Sequence, residues 1–296
     1  MLKRMVCCLS ALLMLPCMAL ADIYTAPDGA HIFYQVQGKG KPIVLVHGWT
    51  CSGKFWQKNV PELAKDFQVV TIDLRGHGRS SKILTGHTIA DYAKDVRGVI
   101  EKLKLKDVTL VGWSLGGSII MTYWDKYKSD SRLSNLVLVD APLAPMSSGA
   151  WNSHGLRDHN WNGLAALHKN VMYDRLAFTT GFTKRMFYQE KISDEDLKWI
   201  VDEIMLTPPW IAVGIMSDLV ILDTSRILPS VTVPLLVFAA DSPFYPKGVE
   251  MGRYYTTQVK GKSKLVPVVN GAHMFFYEQP EFFNKNLKEF IAPAKK

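Results

Sequence analysis

Val108-Thr109-Leu110-Val111-Gly112-Trp113-Ser114-Leu115-Gly116-Gly117 is the stretch on which the reading of this chain turns. Residues 108–111 form a short apolar, β-branched run of the strand type, and an apolar helix begins near Gly117. A G-x-S-x-G match carries weight only in that strand-to-helix setting. A turn so sharp holds Ser114 in a strained backbone conformation with its hydroxyl exposed. Glycines flank it because side chains there would strike the neighbouring strand and helix. The start of the helix adds a dipole that favours developing negative charge.

The same rhythm extends in both directions. Further short, nearly all-apolar strands are expected at 43–46, 69–72 and 136–139, with later ones at 234–240 and 264–269. Strands that are apolar throughout are buried on both faces, as in a parallel sheet covered by helices. Asp28-Gly29 separates runs 23–25 and 31–36, which predicts an opening hairpin. Thr88-Ile89-Ala90-Asp91 reads as a capping-box start for a helix carrying Tyr92, Val96, Val99, Ile100 and Leu103 at helical spacing. A closing helix is expected at 281–291. Alternation of this kind predicts an α/β fold, with a mostly parallel sheet of about eight strands and helices on both faces.

The alternation breaks between about Pro142 and Pro229. Helical patterns at 161–176, 193–206 and 209–222, rich in aromatics and methionine, predict a helical insertion after strand six. The expected division is a core of residues 22–143 and 230–296 with a cap of residues 144–229.

The chain has 296 residues, 48% of them apolar and 21% charged. That composition, with mean hydropathy near zero, excludes disorder, collagen-like repeats and a polytopic membrane protein. Residues 1–21 read as a cleavable secretory leader: basic Lys3 and Arg4, an apolar run 6–15, then Ala19-Leu20-Ala21 before the cut. A periplasmic or secreted location and no stable membrane insertion are therefore expected. The formal charge of +8 includes Lys3 and Arg4, and the rest is scattered without a nucleic-acid motif. Of the four cysteines, Cys7, Cys8 and Cys17 lie in the leader. Cys51 alone is left, and small buried filler suits it better than a role at the mouth of the site. No Cys/His spacing points to a metal, and no cofactor is expected.

A serine hydroxyl needs a base, and the base needs an acid to orient it. His273 follows the strand 264–269, and Asp241 directly follows the strand 234–240. Strand ends on one edge of a parallel sheet converge, so Ser114, Asp241 and His273 are expected to meet, in the chain order of this turn type. Asp140 also follows a strand and is the alternative acid. The oxyanion calls for two backbone donors, the N–H of Leu115 and that of Trp49 in the loop His47-Gly48-Trp49. Trp113, Trp151, Trp161, Phe182, Trp210 and Met274 are the candidate substrate-binding side chains.

Val44-Leu45-Val46-His47-Gly48-Trp49, Asp73-Leu74-Arg75-Gly76-His77-Gly78-Arg79-Ser80, Gly112-Trp113-Ser114-Leu115-Gly116-Gly117 and Gly271-Ala272-His273 with Glu278-Gln279-Pro280-Glu281 together resemble the α/β-hydrolase fold superfamily. The likeness spans nearly the whole chain after the leader. It implies that Ser114, Asp241 and His273 match the catalytic triad, with Trp49 and Leu115 as oxyanion donors. It also implies a structural loop at 73–80, with no catalysis by His77, and a helical cap. One departure stands out: the family often has glycine near the acid, whereas this chain reads Ala239-Ala240-Asp241-Ser242-Pro243.

A serine nucleophile argues against the dehalogenases and epoxide hydrolases of that fold, which use aspartate there. The expected activity is hydrolysis of carboxylic esters or lactones with an apolar acyl or aromatic part, by a monomer or dimer. Lactonases acting on acyl-homoserine lactones, cofactor-free haloperoxidases acting as perhydrolases and carbon–carbon bond hydrolases share the same motifs. A non-catalytic ligand-binding protein is the alternative from outside enzymology.

Overall fold

Strands that are apolar throughout need cover on both faces, and the computed structural model, which describes residues 20–130, 132–152 and 161–292, supplies it. Most of the expected leader lies outside the described residues; Leu20 and Ala21 extend the first strand. In chain order the strands are β1 (Leu20–Thr25), β2 (His31–Gln37), β3 (Pro42–Val46), β4 (Gln68–Ile72), β5 (Val108–Trp113), β6 (Leu133–Val139), β7 (Leu235–Ala240) and β8 (Ser263–Val268). They form one sheet in the order β1-β2-β4-β3-β5-β6-β7-β8. β2 runs antiparallel to β1 and β4, and every other pairing is parallel. The opening hairpin is present, with Gly29 at φ 85° in its turn.

Alternation along each strand sends side chains into two cores. Val44, Val46, Leu110, Leu136, Leu138 and Val237 face one side. There they meet α2 (Ile89–Lys102), α3 (Leu115–Tyr127) and α8 (Gly248–Gln258). Ile43, Leu45, Val111, Val137, Leu236 and Phe238 face the other side. Its cover comes from α1 (Val60–Leu63), α9 (Phe275–Glu278) and α10 (Pro280–Ile291). Thr88 caps α2 as its sequence predicts, its hydroxyl accepting from the Asp91 N–H at 3.1 Å.

Between β6 and β7 the chain leaves the sheet and forms α4 (Trp161–Tyr173), α5 (Arg175–Arg185), α6 (Asp194–Met205) and α7 (Pro209–Ile221). The helix expected over 161–176 ends early, because Asp174 departs from helical geometry at φ −136°, ψ 44°. The unforeseen α5 carries Thr179, Thr180, Gly181 and Thr183, which dilute the apolar period that marks a helix in sequence. α6 starts where its acidic first turn indicates, with the Ser193 hydroxyl accepting from the Asp196 N–H. No single helix among the described residues is long and apolar enough to cross a membrane.

Chain direction around the sheet reverses between β3 and β5, since β4 lies on one side of β3 and β5 on the other. Crevices form beyond the strand ends at such a switch point. The 73–80 loop braces that crevice. Asp73 Oδ1 accepts the Gly53 N–H at 2.8 Å, and the buried Arg75 guanidinium grips Asp95 through two bonds of 2.6 and 2.7 Å. Truncating one member of a buried ion pair leaves the other charge unpaired. Arg75→Met is accordingly expected to cost about 3–5 kcal/mol. A lowered urea midpoint in equilibrium unfolding, with unchanged slope, is the check.

Candidate active site

Ser114 stands between β5 and α3 at φ 54°, ψ −121°. Side chains disfavour positive φ, so the surroundings must hold it there. A β-carbon on Gly112 would lie 2.3 Å from the Gly116 carbonyl oxygen, and one on Gly116 would lie 2.6 Å from that of Val46. Only glycine lets strand, turn and helix approach so closely. The Ser114 N–H donates to the Val139 carbonyl at 3.0 Å, so the turn is hooked to the end of β6.

The next residue after Val139 is Asp140, the alternative acid, and it rather than Asp241 meets His273. His273 Nδ1 donates to Asp140 Oδ2 at 2.7 Å, with both side chains almost fully buried. This fixes the proton on Nδ1 and leaves Nε2 unprotonated, the tautomer a general base needs. Asp140 is itself at φ 44°, with its N–H on the Phe238 carbonyl and its Oδ1 accepting the Ala240 N–H at 3.2 Å. Burial raises its carboxyl above the ordinary range, partly offset by the His273 hydrogen bond. Asp241 does not meet His273. It is exposed, and its Oδ1 accepts the Val249 N–H at 2.9 Å, in the first turn of α8. Helix starts favour such carboxylates, so Asp241 is occupied as a cap.

As the first residue of α3, Leu115 has no acceptor for its N–H within the helix. The Trp49 N–H has no acceptor among the described residues. The loop carrying it is tightly held. His47 Nδ1 donates to the Gly48 carbonyl at 2.8 Å, and its Nε2 accepts the Leu74 N–H at 3.0 Å. Acceptance at Nε2 requires neutral imidazole, and burial pushes His47 down to about 4. Cys51 Sγ donates to the Trp49 carbonyl, and burial pushes its thiol well up, so it packs rather than reacts.

Ser114 and His273 line one cavity of about 190 Å³, walled chiefly by apolar side chains of α4, α5, α7 and the loop after β7. Phe182 of the expected substrate-binding set is in this wall; the other five are not. Trp113 is buried beside Phe55, Trp56 and Phe276, where its Nε1 donates to the His273 carbonyl at 2.9 Å and positions that loop. Met274 is fully buried in the second core. Trp151 stacks on Tyr254, ring centres 4.3 Å apart. Trp161 and Trp210 are 68% and 52% exposed on the outside of the cap. Aromatic richness alone could not separate wall from core or surface.

The walls missed by sequence include Phe178, Met216, Leu219, Phe244, Tyr245 and Arg185. Pro243-Phe244-Tyr245, directly after β7, was the available signal for two of them. Tyr245 is 2% exposed, and its ring centre lies 5.3 Å from that of His273. Burial holds its phenol well above its usual range, so it remains protonated. Among the described residues no group of three His, Cys, Asp or Glu could hold a metal ion.

Two outcomes follow from this geometry. Asp140→Asn is expected to lower kcat for ester hydrolysis by about 10³–10⁴-fold, against less than about tenfold for Asp241→Asn. Steady-state kinetics on the two variants separates the acids. The second concerns His47, whose folded form stays neutral while the unfolded chain takes up a proton below 6.5. Its contribution is complete above that pH and is lost as pH falls to about 4, a decline of ~3 kcal/mol. Denaturant unfolding across this window should show the slope, flattened in His47→Gln.

Residues 41–280 match the family model of the alpha/beta hydrolase fold. The chain is 27% identical over 265 residues to the AB hydrolase superfamily protein YisY of Bacillus subtilis, covering 88% of this chain and 94% of that one. Among solved structures it resembles the bromoperoxidase from Bacillus anthracis, with TM-score 0.83, 27% identity and coverage of 92% and 99% of the two chains. An esterase from Exiguobacterium antarcticum shares the fold, with TM-score 0.81, 23% identity and coverage of 92% and 99%. With its eight-stranded sheet, the nucleophile turn at Ser114 and a family match over most of its length, the chain belongs to the alpha/beta hydrolase fold family and is an enzyme of that fold.

Proposed function

We propose that the protein is a serine hydrolase that cleaves small carboxylic esters, or lactones of similar size, through an acyl-enzyme. The observation that carries this reading is one cavity holding Ser114 and His273, with His273 bonded to Asp140 and two N–H groups, at Trp49 and Leu115, that have no acceptor among the described residues.

The steps follow from those positions. Ser114 Oγ attacks the carbonyl carbon while His273 Nε2 takes its proton. Asp140 stabilises the resulting imidazolium without accepting the proton. Charge that develops on the carbonyl oxygen is met by the N–H groups of Trp49 and Leu115. His273 returns the proton to the leaving oxygen, leaving the acyl group on Ser114. Water, deprotonated by His273, then attacks the acyl carbon and releases the acid and the serine.

Cavity size limits the substrate. A volume of about 190 Å³ lies below the ~300–1,000 Å³ of sites for drug-sized ligands, which favours a short acyl group over a long one. The likeness to a bromoperoxidase favours a second outcome at the same site, in which hydrogen peroxide replaces water and the acyl group leaves as a peracid. We also place the activity outside the cytoplasm, on the strength of the leader-like residues 1–21.

A p-nitrophenyl ester series from acetate to dodecanoate is the test. We expect kcat/KM to be greatest between about two and six acyl carbons and at least about tenfold lower by ten, given the volume. Ser114→Ala should remove at least about a thousandfold of kcat. Turnover that survives this substitution would end the acyl-enzyme reading, and adding peroxide with acetate reports the second reaction.

A further inference from the structure

Arg185, the last residue of α5, lines the otherwise largely apolar active-site cavity. Its guanidinium carbon lies 5.5 Å from the centre of the Phe244 ring. Phe244 in turn lies 5.0 Å from the His273 ring and 5.2 Å from Phe182. One aromatic ring therefore separates the cation from the catalytic imidazole. Arg75, Arg79, Arg97, Arg132 and Arg226 each pair with an aspartate, whereas Arg175, Arg185 and Arg253 have no carboxylate partner among the described residues, and of these three Arg185 lines the cavity. Among the described residues no Asp or Glu lines the cavity.

On this basis we propose that the substrate carries a carboxylate and that Arg185 is the residue that binds it. The proposal rests on the ester-hydrolase reading and names the substrate class within it: esters bearing an acid group a short chain away from the reacting carbonyl. Two observations carry it together. A guanidinium offers several parallel donors to a carboxylate, and stacking on Phe244 restrains it before substrate arrives. The spacing selects a short linker. The guanidinium lies within roughly ten ångströms of the His273 ring; a carboxylate–guanidinium contact takes about 4 Å of that, and four to six carbons with ~1.5 Å bonds cover about the remaining 4–6 Å. Succinyl, glutaryl and adipyl groups fall in this range. The acid group is reached from either half of the ester, and the experiment separates the two cases.

In one arm, p-nitrophenyl hemiglutarate is compared with its methyl ester, which carries the charge on the acyl half or removes it. In the other, 4-carboxyphenyl butyrate is compared with 4-carbamoylphenyl butyrate, which does the same on the alcohol half. We expect the acid to be preferred by about tenfold or more in kcat/KM in one arm, expressed in KM. That preference should weaken between low and high salt, because the cation is solvent-exposed. Arg185→Met should abolish the ratio and Arg185→Lys retain part of it, while Lys184→Met, one residue away and outside the cavity wall, should leave it intact. Equal rates for acid and neutral esters in both arms, or a preference that persists in Arg185→Met, would overturn the proposal. Binding of monomethyl glutarate to Ser114→Ala protein, with and without Arg185→Met, judges Arg185 without turnover. Failure of the hydrolase reading shows separately, as no cleavage of neutral esters and no labelling of Ser114 by a fluorophosphonate.

Discussion

The reversal of the chain at Ser114 is the constraint from which the rest of the site descends. A serine at φ 54°, ψ −121° is unfavourable by itself, and the pairing of successive strand ends holds it in place. The Ser114 N–H reaches the Val139 carbonyl, and the Asp140 N–H reaches the Phe238 carbonyl. The ladder between β5, β6 and β7 therefore runs up to the site itself. Ser114 and Asp140 are spaced by sheet geometry, and sheet geometry is rigid. Gly112 and Gly116 allow the close approach, since a β-carbon at either would meet a backbone oxygen.

Burial decides the partnership of Asp140 with His273. The Asp140 carboxyl is taken wholly from water, which raises its affinity for the proton, and the Ala240 N–H and the imidazole N–H partly restore the lost solvation. Such a carboxylate is held in one orientation, and it holds the imidazole in turn. Asp241, one residue beyond β7, is exposed and bonded to the start of α8. A solvated carboxylate there aids the helix and would orient a distant histidine poorly.

The cap and the oxyanion loop are joined. Trp49 Nε1 donates to the Ala212 carbonyl in α7, Thr207 to the Thr50 carbonyl, and Ser52 to the Glu203 carboxylate. On the far side the Met274 N–H donates to the Met186 carbonyl, and Glu278 accepts the Tyr188 N–H. The elements that enclose substrate are thus bonded to those that carry Trp49 and His273. The walls of the cavity and the positions of Trp49 and His273 are fixed by the same contacts.

Much of this was legible in the residues. Apolar runs such as 43–46 and 136–139 announced buried parallel strands because a period of two with no polar face admits no other cover. The Gly112–Gly116 spacing announced the strained strand-to-helix turn at Ser114 because only glycine tolerates the crowding. Two kinds of fact were beyond the sequence. The acid was one: Asp140 and Asp241 both end strands, and only the three-dimensional path shows which is buried toward His273 and which faces water at a helix start. The wall of the cavity was the other. Trp113, Trp210 and Phe182 are alike in composition, yet one is core, one surface and one wall, because exposure depends on which elements pack together rather than on the side chain itself. Local pattern determined the fold and singled out Ser114 and His273; long-range packing set Asp140 against His273 and shaped the space around them.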